Sequence, residues 1–437
     1  MKHLSRRAMS GRSDVVTAVL VSGIAFFAKF PFDGAEDIVN ARENLIHGSK
    51  SDFWGSFSPW FYSLFQHTHW ELSYALLFTS LIGFSIFQFS RLMTIHSASA
   101  LKKIGLLILG YASLSFALAF SRDGALLTFI LFSLANLLLY SQVKSSLRFV
   151  WFSIFIISMI VGFAFRPWLS LSAPFILLAF YKMVKPDQRK MNIKKALVVL
   201  LLVAIGPLAL DQVFHKQMKL IPSYPQQQVM IMDASSLACL SANPQDVDEA
   251  LITLRPLATS PNLNKETLCS QYYPQNWASV VFYGSRDGAP SALKMISPKQ
   301  EEIYGKFQRN WLDLIFSRLP TYLQTKIMLG SQFLLAGESP RPNMHNFSSL
   351  LQLPLEVAKF FRLFSAFPVL ILLLLLLLRG RVSNYQSTPV LAISAFYLSF
   401  LAISTIAFIG DNQRYIFSGA IIVYLFSLLS QVKIEGS

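Results

Sequence analysis

The stretch "DVVTAVLVSGIAFFAKFPFDGAEDIVNARENLIHG" (residues 14–48) decides the architecture of this chain. Lys2, Arg6, Arg7 and Arg12 precede its apolar first half, which is also the layout of a cleaved secretory leader. Read as an uncleaved signal anchor, it is the first of a series of spans whose loops alternate in charge. Its second half leaves the apolar phase with Asp33, Glu36, Asp37 and Glu43 close together, in a chain otherwise sparing with acids.

The rest of the sequence supports the anchor reading. Of 437 residues, 53% are hydrophobic, 14% aromatic and only 14% charged, with a mean hydropathy of +0.47. A soluble chain carries roughly a quarter charged residues. The apolar residues fall in blocks long enough to cross a bilayer. The candidate spans are 14–32, 71–90, 103–120, 124–142, 149–165, 168–182, 196–213, 363–379, 389–409 and 415–432, the sixth being the shortest. The expected fold is therefore an all-α polytopic membrane protein of about ten transmembrane helices.

Charge orients it. Arg91, Lys102 and Lys103 follow the second span, Lys144 and Arg148 the fourth, and six lysines and arginines between Lys182 and Lys195 the sixth. Arg379 and Arg381 follow the eighth, and Lys433 the tenth. Basic connections on every even-numbered exit place both termini in the cytoplasm. They also account for most of the net charge of +15. A nucleic-acid partner is not indicated, since no basic face carries reading groups.

Three regions follow: an N-terminal transmembrane module over 1–213, an extracytoplasmic domain over 214–362, and a C-terminal three-span module over 363–437. The middle segment is too long for a structureless loop and is expected to form a mixed domain. Ile303, Phe307, Trp311 and Ile315 suggest an amphipathic helix entered at Pro298 and ended or kinked by Pro320, before a second apolar helix from Thr321 to about Leu335. Cys239 and Cys269, the only cysteines, fall in this domain. They suit either a disulfide or two buried thiols.

In the first loop, Pro31 ends the span and Asp33-Gly34 makes a turn. Ile38, Ala41, Leu45 and Ile46 then share one helical face closed by Gly48, a helix lying along the interface. "FWGSFSPWFYSLF" (residues 53–65) is expected to bring the chain back through an aromatic belt. The histidines of this loop, His47, His67 and His69, lack the spacing of a closed zinc site.

Asp33, Ala41, Leu45 and Gly48, followed by Pro59 and Tyr62, resemble the first outer loop of the GT-C superfamily of membrane glycosyltransferases. The likeness is to the branch of protein mannosyltransferases and the aminoarabinose transferase. That branch has Asp-Glu where this chain has Asp33-Gly34, and an aromatic where it has Asp37. "SRDGALL" (121–127) resembles the family's second acidic outer loop, and "FRPWLSL" (165–171) an Arg-Pro at an outer helix end. "WLDLIFSRLPTYLQTK" (311–326) is similar to a pattern of the large outer domain, and "NQRY" (412–415) to the Arg-Tyr that opens a late span.

The resemblance implies transfer of a sugar from a polyprenyl-phosphate carrier to a glycan, lipid or protein acceptor on the extracytoplasmic face of a membrane. A bacterial cytoplasmic membrane is expected, with a divalent cation as an optional cofactor. Asp33 takes the family's catalytic position as general base, and Asp123 orients the acceptor or a metal. Arg122, Arg166 and Arg414, with Tyr415, bind the carrier phosphate, which a guanidinium fork suits. Glu36 and Asp37 line the acceptor side. Each has a plainer reading: arginines at span ends snorkel to headgroups, Arg122 and Asp123 pair across a turn, and Glu36 and Asp37 form a solvated helix face. Two other classes share this outline, an O-antigen-type polymerase or ligase that depends on outer arginines, and a lipid-linked glycan flippase or transporter.

Overall fold

The computed structural model describes residues 14–24, 26, 56–65, 70–95, 98–118, 121–143, 147–184, 193–219, 224, 226–272, 280–281, 290–297, 299–335, 366–382, 387–407 and 413–430. Within them the chain is helical, and the expectation of an all-α membrane protein holds. The first helix, α1, covers Asp14–Ile24. It is followed by α2 (Phe57–Ser63), α3 (Trp70–Ile95), α4 (Ala100–Ala117), α5 (Arg122–Gln142) and α6 (Leu147–Ala164). A 3-10 turn, Pro167–Ser172, leads into α7 (Ala173–Val184), and α8 is Ile193–Met218. Among the described residues of the middle segment the α-helices are α9 (Gln227–Leu240), α10 (Pro244–Leu254), α11 (Lys265–Cys269), α12 (Glu301–Ser317) and α13 (Leu319–Leu335). The chain closes with α14 (Ala366–Val382), α15 (Ser387–Ala407) and α16 (Gln413–Ser430).

Six helices among the described residues are long and apolar enough to cross a membrane: Glu71–Ile95, Ala100–Ala117, Arg122–Gln142, Leu147–Ala164, Leu197–Met218 and Thr388–Thr405. Asp14–Ile24, Ala366–Arg379 and Ile416–Ser430 are shorter apolar helices. The sixth expected span, 168–182, is not one helix. Pro167 and Pro174 lack the N–H that a continuous helix needs, so the chain makes a 3-10 turn before α7. The 12 residues of α7 reach only about 18 Å, short of the roughly 30 Å hydrocarbon core.

The helices pack around α5. Leu126, Leu127, Ile130, Leu134, Leu137 and Leu138 are all buried, so α5 is enclosed on every side. By contrast α8 turns Leu197, Val198, Leu201, Leu202 and Ile205 outward, as a helix at the lipid boundary does. Lys102, Lys103, Arg148 and Lys182 lie toward one end of the bundle, at the starts of α4 and α6 and the end of α7. The opposite end, hereafter the upper end, holds the start of α5, the end of α6, the end of α8 and all of α2.

The middle segment has its own core, with Ile231, Leu237, Leu254, Leu268, Leu293 and Phe307 packed together. Of the mixed structure expected there, the described residues show one isolated antiparallel bridge, Ala258 with Leu293. The extended stretch 290–297 instead finds partners in two buried glutamines. Gln227 accepts from Ile296 N at 2.7 Å, and Gln271 accepts from Ala292 N at 2.7 Å while donating to Pro290 O. These bonds satisfy backbone groups that would otherwise be buried unpaired. Cys239 and Cys269 form a disulfide joining the ends of α9 and α11, with Cα atoms 5.4 Å apart. This selects one of the two readings the sequence left open.

The amphipathic helix starts at Glu301, three residues after Pro298, behind a turn in which Gln300 N donates to Ser297 O and Ser297 N donates to Gln300 Oε1. As expected, it is interrupted just before Pro320. The break is at Arg318, and Pro320 occupies the first turn of α13, where a missing N–H costs nothing.

Candidate functional site

The upper end of the bundle is built on the start of α5. Ser121 caps it, its Oγ accepting from Gly124 N at 3.0 Å. At Gly124 a Cβ would lie 2.7 Å from Phe116 O and 2.8 Å from the Ala117 Cα. Only glycine lets the first turn of α5 abut the last turn of α4. Asp123 is thereby carried inside the bundle, 1% exposed, at the positive pole of its own helix.

Its partner comes from the end of α6. Arg166 sits between that helix and the 3-10 turn, where Pro167 after it keeps its backbone out of the helical region (φ −142°, ψ 72°). Its Nε donates to Asp123 Oδ1 at 2.8 Å and its Nη2 to Oδ2 at 2.9 Å. Arg166 is 5% exposed. This is a bidentate, charge-assisted pair in a low-dielectric setting, the geometry in which such pairs are short and directional. Asp123 is thus bonded to an arginine 43 residues away in sequence, a partner that the expected Arg122–Asp123 turn did not include. Separate tasks were expected for Asp123 and Arg166; their first task is to hold each other.

An aromatic layer surrounds the pair. Phe165, next to Arg166, packs edge-on against Phe57 and Phe61, with centroids 5.1 and 5.0 Å away, and stacks on Phe129. Tyr62 is 1% exposed and its hydroxyl lies within electrostatic reach of Arg122, Asp123 and Arg166. Phe57, Phe61 and Tyr62 belong to the stretch expected to form an interfacial belt. They turn into the protein instead, because α2 packs across the end of α8 rather than lying in lipid.

Asp211 on α8 does the anchoring. Its Oδ1 accepts from Ser56 N at 2.8 Å and Phe57 N at 3.0 Å, capping α2 from another helix. One turn on, His215 Nδ1 lies 3.2 Å from Ser56 Oγ. Sequence reasoning assigned these two residues no role. A carboxylate within an otherwise apolar run was the signal that could have found Asp211.

The remaining candidates divide. Arg122, half-buried, is beside Asp123 in the first turn of α5. Arg414 and Tyr415 open α16, and their side chains lie outside the described residues. One turn later Ser418 Oγ donates to the Asp123 carbonyl at 3.3 Å, which brings the start of α16 to the same site. Asp33, Glu36, Asp37 and the interfacial helix expected after them lie outside the described residues, as do His47, His67 and His69. Among the described residues no three His, Cys, Asp or Glu side chains come together as a metal site.

The site therefore joins α2, α4, α5, α6, α8 and α16 at one end of a membrane bundle, around a buried ion pair. No protein-family model, curated protein or solved structure matches this chain.

Proposed function

We propose that the chain is a membrane-embedded glycosyltransferase of GT-C type, moving a sugar from a polyprenyl-phosphate carrier to an acceptor hydroxyl on the extracytoplasmic side. The observation that carries this reading is the buried Asp123–Arg166 pair. It unites the second acidic motif with the Arg-Pro motif, and it lies where α2, which follows the first loop, is docked. The two parallel bonds fix the plane of the guanidinium. Asp123 thus acts as a positioning residue that sets the plane of Arg166 toward a carrier phosphate at the bundle end.

In the proposed reaction the acceptor oxygen attacks the anomeric carbon and Asp33 takes its proton. The bond from that carbon to the carrier phosphate breaks as the new glycosidic bond forms. The departing phosphate takes the electron pair and is stabilised by Arg166, with Arg122 and Arg414. Glu36 and Asp37 line the acceptor side.

The test compares surface glycans released from cells lacking the protein, cells with it restored, and cells expressing Asp33→Asn or Arg166→Lys at equal membrane level. The expected result is a sugar lost on deletion, regained with the wild type and not regained with Asp33→Asn. Full restoration by Asp33→Asn together with failure of Arg166→Lys would favour an arginine-dependent polymerase or ligase, a reading that the proximity of Arg122 and Arg166 at one bundle end supports. Unchanged glycans on deletion would overturn both.

A further inference from the structure

The helix α13 is inside out for a domain in water. Its polar groups turn inward: Thr325 is 6% exposed and Lys326 is 7% exposed. Lys326 Nζ lies 2.6 Å from Asp233 Oδ1, and Tyr322 OH donates to Asp233 Oδ2 at 3.3 Å. Its apolar groups turn outward, with Leu319, Leu323, Ile327 and Met328 between 39% and 71% exposed. Phe316, 73% exposed, and Leu312 extend the same stripe onto the last turn of α12. Gln324 is the one exposed polar side chain among the described residues of α13. A surface helix in water shows the reverse pattern.

We propose that this stripe is seated in the acyl region of the bilayer, so that the elbow between α12 and α13 is a membrane anchor in its own right. Three observations select lipid as the occupant. First, α13 packs against α14 and α15, whose outward faces carry exposed Phe367, Leu374, Leu375, Leu391 and Leu398. The stripe therefore continues a surface already facing hydrocarbon. Second, charge thins along α12, from exposed Glu301, Glu302, Lys306 and Arg309 over its first half to Leu312 and Phe316 near its end, where Asp313 is the one exposed charged side chain. That gradient suits a helix descending from water to the interface. Third, the elbow is fixed. Arg318 Nε donates to Glu249 Oε2 at 2.8 Å and lies 3.3 Å from Asp246 Oδ1, holding it to α10.

Because both native cysteines are in the disulfide, an introduced cysteine is the only free thiol in the chain. Spin labels placed on the full-length protein in phospholipid nanodiscs, through Phe316→Cys, Leu323→Cys and Ile327→Cys, are compared by collision with oxygen, which concentrates in lipid, and with a water-soluble nickel chelate. Lys306→Cys is the water control and Leu374→Cys the lipid control. The expected result is an oxygen-to-nickel ratio at 323 and 327 matching that at 374 and reversed from that at 306. A ratio matching position 306 places the stripe in water and overturns the proposal. Low collision with both probes overturns it too, since a second copy of the chain or another protein then covers the stripe. This test is independent of which reaction the upper end performs.

Discussion

Two buried carboxylates, Asp123 at the upper end of the bundle and Asp233 in the disulfide-bonded domain, each bond to a buried cation, but by different means. Asp123 meets the planar fork of Arg166 along two parallel bonds. Asp233 meets Lys326 at one oxygen and takes weaker bonds from Trp311 Nε1 and Tyr322 OH at the other, both 3.3 Å long. Arginine presents a rigid planar fork, whereas the lysine ammonium is a point donor on a flexible stem. The bundle pair is therefore an obligatory unit that fixes geometry, and the domain pair is an adjustable clasp between α9, α12 and α13.

The contrast breaks first under truncation. Asp123→Ala leaves a buried guanidinium uncompensated and is expected to cost about 3–5 kcal/mol, read by thermal unfolding of the nanodisc-embedded protein. Asp233→Ala is expected to cost less, because it removes one cation contact and two long hydrogen bonds rather than a bidentate pair. Equal losses would remove the distinction. Arg166→Lys keeps the charge but loses the fork, and should fall between wild type and Asp123→Ala.

The domain has a second constraint that the bundle lacks. The disulfide closes a loop with a sequence separation of 30. Replacing both cysteines by serine is expected to cost about 3–4 kcal/mol in domain stability by the loop-entropy relation. Limited proteolysis of the intact membrane protein would report it as faster cleavage within 224–335, with the bundle unaffected.

At the bundle end the corresponding constraint is steric. Gly124→Ala sets a methyl against backbone of α4, which cannot swing aside, and should cost about 1–3 kcal/mol. Because it displaces the turn carrying Asp123, it should also lower the proposed transfer activity more than the stability loss accounts for. Activity falling only in step with folded protein would show that the pair tolerates the shift.

The smallest effect is on pH dependence, and here two domain carboxylates have opposite signs. Burial pushes Asp233 above its ordinary value of 3.8, against the pull of Lys326. Its proton is held more tightly in the folded domain, so this group's contribution is complete below about pH 4 and is lost as pH rises through the raised folded value. Glu249, drawn down chiefly by the hydrogen bond from Arg318, does the reverse. Its contribution is present above the ordinary glutamate range and is lost as pH falls through the lowered folded value. Domain unfolding followed from pH 3 to 7 should show Asp233→Asn weakening the protein at the acid end relative to neutral, and Glu249→Gln flattening the loss there. A common sign for the two would refute the assignment.

Much of the candidate site was legible before the fold was known. Asp123 and Arg166 stood out as charged residues at the ends of apolar runs, where their desolvation demands a reason. That they are partners was not legible, since a contact across 43 residues depends on how α5 and α6 pack. The break of the sixth span was half visible in Pro167, but average hydropathy does not register a missing N–H. The belt of aromatics at 53–65 misled because Phe and Tyr suit both an interface and a core, and only the docking of α2 under Asp211 chooses between them.

What the sequence determined by itself is what sums locally. Apolar runs set the membrane helices, proline and glycine set where helices break, and a lone pair of cysteines left one possible intrachain bridge. Tertiary structure alone decided what depends on approach between distant segments: Asp123 bonding to Arg166, Asp211 capping α2, and α13 turning Lys326 inward and Ile327 outward. The reason is physical. Burying an apolar side chain is favourable against almost any neighbour, so its signal survives in the sequence. A buried charge is tolerable only beside a particular partner at a particular angle, and that partner is named by the fold.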